Sequence, residues 1–230
     1  MKRTLCSVVL AATILIAPGA GFAQTPFDDI QSSQALADIE AVHEKGIMLG
    51  TGDNKFNPDD IVDRAQLAVC LVRTFDLNYD YLKLIKAPVT SDLYDDVENN
   101  LWYSKDSMII GHNNIFDIAG REFKPQEAVT RMEVASAIAD SFAAKKLSVI
   151  TTLMWPNYAD MTNLTQEQQS DISFMFNTSI MRYEGNEFKP NEKITRAELA
   201  TILNRTLKTL AVATPLPEAE PAESSPASNN

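Results

Sequence analysis

Histidine and cysteine are nearly absent, two of each in 230 residues, and the chemistry they carry is correspondingly hard to build. His43 and His112 stand in no metal-ligand spacing such as His-Glu-x-x-His, so a zinc hydrolase is not expected. Cys6 falls in a leading apolar run, which leaves Cys70 as the one cysteine of a processed chain and permits no intrachain disulfide. Its apolar position in a helical pattern marks it as a buried core thiol. No Gly-x-Ser-x-Gly elbow and no glycine-rich phosphate loop occurs. Acid pairs exist, Asp28/Asp29 and Asp95/Asp96, but they recur at corresponding places, which points to architecture before glycosidase carboxylates. The stretch Asp53–Asp59 resembles a calcium loop but lacks the glycine at its sixth position and the closing glutamate. No enzymatic activity, no metal and no cofactor is expected.

Cations are scarce as well: 20 Lys and Arg face 31 Asp and Glu, a net charge of −11. That balance excludes nucleic acid as a partner, because a phosphate backbone requires a basic surface. Long hydrophobic runs are missing too. The apolar run Leu5–Ile16 is too short for a membrane span. With Lys2 and Arg3 before it and Gly21-Phe22-Ala23 ahead of Gln24, it reads as a secretory signal over 1–23, cleaved after Ala23. Removing it takes two cations and no acid, leaving 18 against 31, or −13. Cys6 has neither the position nor the small neighbours of a lipoprotein site. The expectation is an exported, monomeric protein with no transmembrane segment in the mature chain. Residues 24–210 read as a single domain. Residues 211–230, rich in Pro, Ala, Glu and Ser, read as a disordered tail because such a composition cannot bury a core.

What the chain does contain is one unit written three times. An aromatic, then Pro two residues on, then Arg eight residues after the aromatic occur as Phe56/Pro58/Arg64, Phe123/Pro125/Arg131 and Phe188/Pro190/Arg196. A period of roughly 65 residues, seen three times, identifies a repeat architecture. Upstream, each unit opens on an aromatic and an acid, Phe27/Asp29, Tyr94/Asp96 and Tyr158/Asp160, and each then carries Gly46-Ile47, Asn114-Ile115 or Ser179-Ile180. The units span 27–75, 94–142 and 158–207. After each Arg, Leu67/Ala68/Leu71/Phe75, Val134/Ala135/Ile138/Phe142 and Leu199/Ala200/Leu203/Leu207 draw one apolar stripe of a 3.6-residue helix. Three such stripes predict mutual burial around a pseudo-threefold axis. Thr130-x-x-Glu133 and Thr195-x-x-Glu198 predict capping boxes, and Asp63 with Gln66 an analogous cap. Capping does not explain the Arg, which faces the positive end of a helix dipole three times over. An Arg beside free helix N–H groups suits a carboxylate or phosphate, unless it pairs with an opening Asp. Residues 76–91 and 143–157 read as linkers packed along the repeats, with Trp155 as a core aromatic or, as the alternative, a face that stacks on sugar.

These residues, above all Phe188-Lys189-Pro190 and Ile194-Thr195-Arg196-Ala197-Glu198, resemble the S-layer homology repeat, usually found as three tandem copies on bacterial surface proteins. The resemblance covers about residues 27 to 207. It implies an all-α fold: three helix-loop-helix repeats forming a pseudo-threefold spindle around a central three-helix bundle. It also implies non-covalent anchoring to the cell envelope by binding secondary cell-wall polysaccharide, through a pyruvylated amino sugar held in grooves between repeats. Carried onto this sequence, the implied contacts are Arg64, Arg131 and Arg196, the opening acids Asp29, Asp96 and Asp160, and Trp102, with the residues of repeat two ranked first. Gln34 and Glu167 stand where the other two Trp would be. The implied location is the cell surface, and other surface-layer proteins are further candidate partners. The competing expectation is a structural or interaction protein whose grooves no longer hold glycan.

Overall fold

Each second helix starts where a side chain can cap it. Asp63, Thr130 and Thr195 adopt extended backbone and accept the N–H of Gln66, Glu133 and Glu198, relieving an amide that the helix itself leaves without a partner. The helices that follow are Arg64–Phe75 (α2), Arg131–Ala144 (α4) and Arg196–Leu210 (α6). The first helices of the units are Leu36–Glu44 (α1), Ser104–His112 (α3) and Gln166–Asn177 (α5). The computed structural model describes residues 25–83, 86–118 and 120–217, and among these the fold is all-α, six helices with one two-stranded ribbon. The signal expected over 1–23 lies outside the described residues.

The pairing of helices crosses from one unit to the next. α2 packs on α3, α4 on α5, and α6 closes the circle on α1. The apolar stripes of α2, α4 and α6 are buried, with Leu67, Ala68, Leu71, Val134, Ala135, Ile138, Leu199, Ala200 and Leu203 fully enclosed, and α2 touches both α4 and α6. At the helix starts the backbone itself closes a ring. The Val62 N–H donates to Ile194 at 3.0 Å, Ile194 to Val129 at 3.3 Å and Val129 to Val62 at 3.0 Å. The next two amides of each helix are taken by the neighbouring unit: Arg64 and Ala65 donate to Glu127 and Pro125, Arg131 and Met132 to Glu192 and Pro190, Arg196 and Ala197 to Asp60 and Pro58. The helix N–H groups that could have cradled an anion are therefore spent on joining the units.

Two left-handed positions recur in each unit. Gly46, Asn114 and Ser179 turn the chain after the first helix with φ of 68°, 53° and 60°. The middle residue of each Phe-x-Pro, Asn57, Lys124 and Lys189, also has positive φ, 53–59°, which the sequence did not announce. The opening acids hold that second turn. Asp29 accepts the amides of Phe56 and Asn57, Asp96 those of Phe123 and Lys124, and Asp160 those of Phe188 and Lys189, all at 2.7–2.9 Å. Each opening aromatic lies against the Phe so positioned: Phe27 on Phe56, Tyr94 on Phe123, Tyr158 on Phe188. All three Phe are fully buried, so trimming any of them to Ala is expected to remove about 3–5 kcal/mol in a urea titration.

The connecting segments depart from expectation. Leu147–Ser148 (β1) pairs antiparallel with Thr214–Pro215 (β2), so 211–217, expected as the start of a disordered tail, is ordered by a backbone ladder; residues 218–230 lie outside the described residues. Within the 143–157 linker Leu147 and Val149 pack against the core as expected, but the large apolar residues that follow do not. Ile150 and Leu153 are 94% and 88% exposed and Trp155 63%, while Asn177 at the end of α5 is bonded to both polar groups of Met154 at 2.8 Å and ties the segment to the helix end.

Candidate functional site

The three Arg occupy equivalent places and each reaches across to the next unit. Arg64 donates to the Phe123 carbonyl at 2.8 Å and meets Glu133 and Glu127 at 3.0 and 3.2 Å. Arg131 donates to Phe188 at 2.8 Å, meets Glu192 and Glu198 at 3.1 Å and lies 4.3 Å over the Tyr183 ring. Burial pulls its pKa down, and Tyr183, Glu198 and Glu192 more than offset that, raising it. None of the three pairs with an opening Asp, which is engaged with the Phe-x-Pro amides as described. Glu198 turns its carboxylate to Arg131 and to the Tyr183 hydroxyl at 2.9 Å, so of the two expected capping boxes the one at Thr130/Glu133 closes on both sides and the one at Thr195/Glu198 does not.

Arg196 is different. Its Nε donates to Phe56 at 2.8 Å, Nη2 to Leu49 at 2.8 Å and Nη1 to the Gln66 side-chain oxygen at 3.1 Å, with the guanidinium 4.5 Å over the Phe56 ring. Every partner is neutral. The side chain forms no ion pair among the described residues, and burial holds its pKa below the ordinary range. It opens into a groove of about 420 Å³ that also contains Leu49, Gly50, Gln66, Arg73 and Trp102. No carboxylate lines this groove. Trp102 is 64% exposed and stands two residues ahead of α3, not inside it, where its indole can serve as a wall. The groove thus joins three units: Gln66 and Arg73 from the first, Trp102 from the second, Arg196 from the third. Of the residues anticipated as contacts, it collects Trp102 and Arg196. Arg64 and Arg131 belong to other unit junctions, and Asp29, Asp96 and Asp160 hold turns.

Two groove residues were missed. Gln66 stands where the other units have Glu133 and Glu198, and that one change removes the carboxylate that would neutralise the neighbouring Arg. Arg73 corresponds to Asp140 and Arg205 in the aligned helices. Both are visible once the units are written under one another and read for charge rather than for capping. A cation hydrogen-bonded only to neutral groups, beside a second exposed cation and an aromatic face, fits a carboxylate-bearing ring.

The junction at Arg64 has the opposite sign. Asp140 on α4 faces Asp171 and Glu167 on α5 and Asp117 from the preceding loop, and burial first, then these three carboxylates, push its pKa up to about 7. The Asp171 pKa is raised by burial and Glu167, against the donation from Ser136 at 2.6 Å. A carboxyl that binds its proton more tightly when folded destabilises the fold progressively from about pH 4 to pH 7, and fully above that. For a half-exposed group, screening reduces the effect to on the order of 1–2 kcal/mol. Asp140→Asn is therefore expected to raise the melting temperature at pH 8 and to leave it unchanged at pH 4; an equal shift at both would remove the titration as its cause.

Residues 26–68 and 180–200 match the S-layer homology domain. The matched segments contain Arg64 and Arg196 together with both backbone strands of the ring that join units one and three. Over 199 residues the chain is 24% identical to the surface-layer 125 kDa protein of Lysinibacillus sphaericus, covering 84% of this chain and 16% of that one. It is 23% identical over 216 residues to the S-layer protein EA1 of Bacillus anthracis, covering 90% and 23%. It is 23% identical over 183 residues to the exoglucanase XynX of Acetivibrio thermocellus, covering 77% and 16%. The chain spans less than a quarter of the length of these relatives. The S-layer homology match and the surface-layer relatives indicate a cell-surface location, and no helix among the described residues is long and apolar enough to cross a membrane.

Proposed function

We propose that the three units are S-layer homology repeats and that the protein anchors itself to the cell envelope by binding an acidic secondary cell-wall polysaccharide. The grip is in one groove, at Trp102, Arg73, Gln66 and Arg196. The observation that carries this reading is the unpaired charge of Arg196 in a groove free of carboxylates, set against two sister Arg already neutralised by Glu. A pyruvylated sugar suits the geometry: its carboxylate would meet Arg73 and the outer edge of Arg196, and its ring would lie on the Trp102 indole. The similarity to surface-layer proteins and to an exoglucanase alike supports a shared attachment role, since those proteins differ in the rest of their length.

Co-sedimentation of residues 24–230 with purified cell walls, before and after acid removal of the wall polymer, tests the proposal. Trp102→Ala and Arg73→Gln are the informative variants: both side chains are exposed, and because Arg73 also donates to the Gly46 and Ile47 carbonyls at 3.2 and 3.3 Å, its variant is read together with the far-ultraviolet circular dichroism. Each is expected to weaken binding by about 10- to 100-fold, the loss of a stacked face or of a charge-assisted hydrogen bond. Binding that is indifferent to both variants would rule out the groove. No binding to either wall preparation would favour the second reading, a surface protein that assembles with other surface-layer proteins, which the neutralised Arg64 and Arg131 and the presence of Gln34 and Glu167 in place of Trp support.

A further inference from the structure

A second cleft, of about 570 Å³, lies between the end of α5, the second half of α6 and the 149–154 linker. Arg182, Arg205 and Lys208 line it, and no carboxylate does. None of the three cations makes an ion pair among the described residues, in a chain that carries −11 overall. Its walls are fixed: Arg182 lies 4.6 Å over the Phe176 ring, the linker is pinned at Met154 by Asn177, and the β1–β2 ribbon closes the chain beside it. A neighbouring cleft of about 450 Å³ shares Ile150 and Thr151 with it and presents Trp155. Arg131 and Tyr183 are not part of either lining.

We infer that this surface is a second polysaccharide site, taking an anionic oligosaccharide whose acid groups meet Arg182, Arg205 and Lys208 and whose ring faces lie on Ile150 and Trp155. Unpaired cations in a carboxylate-free cleft concentrate anions locally although the molecule as a whole repels them. The N–H and C=O of Met154 are both occupied by Asn177, which removes that position of the linker from pairing with an added peptide strand. Thr151 and Thr152 line the cleft, and their hydroxyls suit sugar hydroxyls. The choice of a glycan rests on the wall-binding reading above; the cleft and its charge do not.

The protein has two tryptophans, so in Trp102→Ala/Arg73→Gln the fluorescence of Trp155 reports this surface alone. Titration of that variant with decagalacturonate is expected to change Trp155 emission, and adding Arg205→Gln and Lys208→Gln, both exposed positions, is expected to weaken the titration by about tenfold or more. No response in the two-site variant, or an undiminished one after the cations are removed, would overturn the inference. So would a decaglutamate peptide that binds more tightly than the saccharide. Loss of wall binding in Trp102→Ala/Arg73→Gln with an intact Trp155 response would separate the two sites, and an unaltered wall affinity in that variant would count against the groove and not against this cleft.

Discussion

Replacing Arg131 by alanine is expected to lower the unfolding free energy by about 2–3 kcal/mol, short of the range for a fully buried charge pair because Glu192 and Glu198 keep 47% and 26% exposure. The side chain is 7% exposed and it alone joins the Phe188 carbonyl, Glu192, Glu198 and the face of Tyr183. Its loss strands a buried carbonyl and leaves Glu198, 26% exposed, with only the Tyr183 hydroxyl. Arg64→Ala is expected to be milder, because Glu127 and Glu133 are 48% and 39% exposed and can be rehydrated. Urea unfolding followed by far-ultraviolet circular dichroism measures both. A loss below about 1 kcal/mol for Arg131→Ala would mean that the side chain is not an inter-unit staple and is available to a ligand. The same reasoning explains why Arg196 is a poor first target for a binding test: removing it would strand the Phe56 and Leu49 carbonyls, and a folding defect would be read as a binding defect.

The repeated stripes and caps were legible because each is a local rule, an apolar period of 3.6 and an oxygen one residue ahead of a helix, whereas the left-handed Lys124 and Lys189 carry no such local mark. Their coincidence in three copies made the helical architecture readable from the chain. What was not legible is everything that depends on which unit faces which. Arg, Asp and Trp in one repeat look like one site, yet Arg196 reaches Phe56 across 140 residues of sequence, and the Trp102 groove takes its two cations from the units before and after its own. The Arg was read beside open helix amides, while in the structure those amides are bonded to the neighbouring loop. Position-by-position charge would have distinguished the grooves: Gln66 against Glu133 and Glu198, Arg73 against Asp140 and Arg205. The linkers were only partly legible from composition: Tyr79, Leu147 and Val149 pack on the core while Ile150 and Trp155 stay exposed.

The opening acids should show the second large effect, and it should differ between units. Asp160→Ala removes a carboxylate that accepts two successive amides at 2.7 and 2.9 Å; at about 1.5–3 kcal/mol for a hydrogen bond to a charged group, with partial recovery by water, a loss of about 2–4 kcal/mol is expected. The residue it holds is Lys189 at φ 59°, a left-handed conformation that disfavours a lysine by roughly 1–2 kcal/mol. Asp29 holds Asn57 at φ 54°, and asparagine tolerates that conformation through its short polar side chain. Asp160→Ala should therefore be the gentler substitution, by up to about 1 kcal/mol, because loosening its turn releases that conformational cost. The amides of Phe56 and Asn57 hold the Asp29 carboxyl below its ordinary pKa against the upward push of burial, so its contribution is present above about pH 4 and disappears as acid protonates it. The complementary substitution reverses the sign: Lys189→Asn, with Asp160 intact, should stabilise the fold by about 0.5–1 kcal/mol by easing the left-handed residue. Equal losses for Asp29→Ala and Asp160→Ala, together with no gain from Lys189→Asn, would show that the carboxylates act through their amides alone and that the turn carries no conformational strain for them to hold.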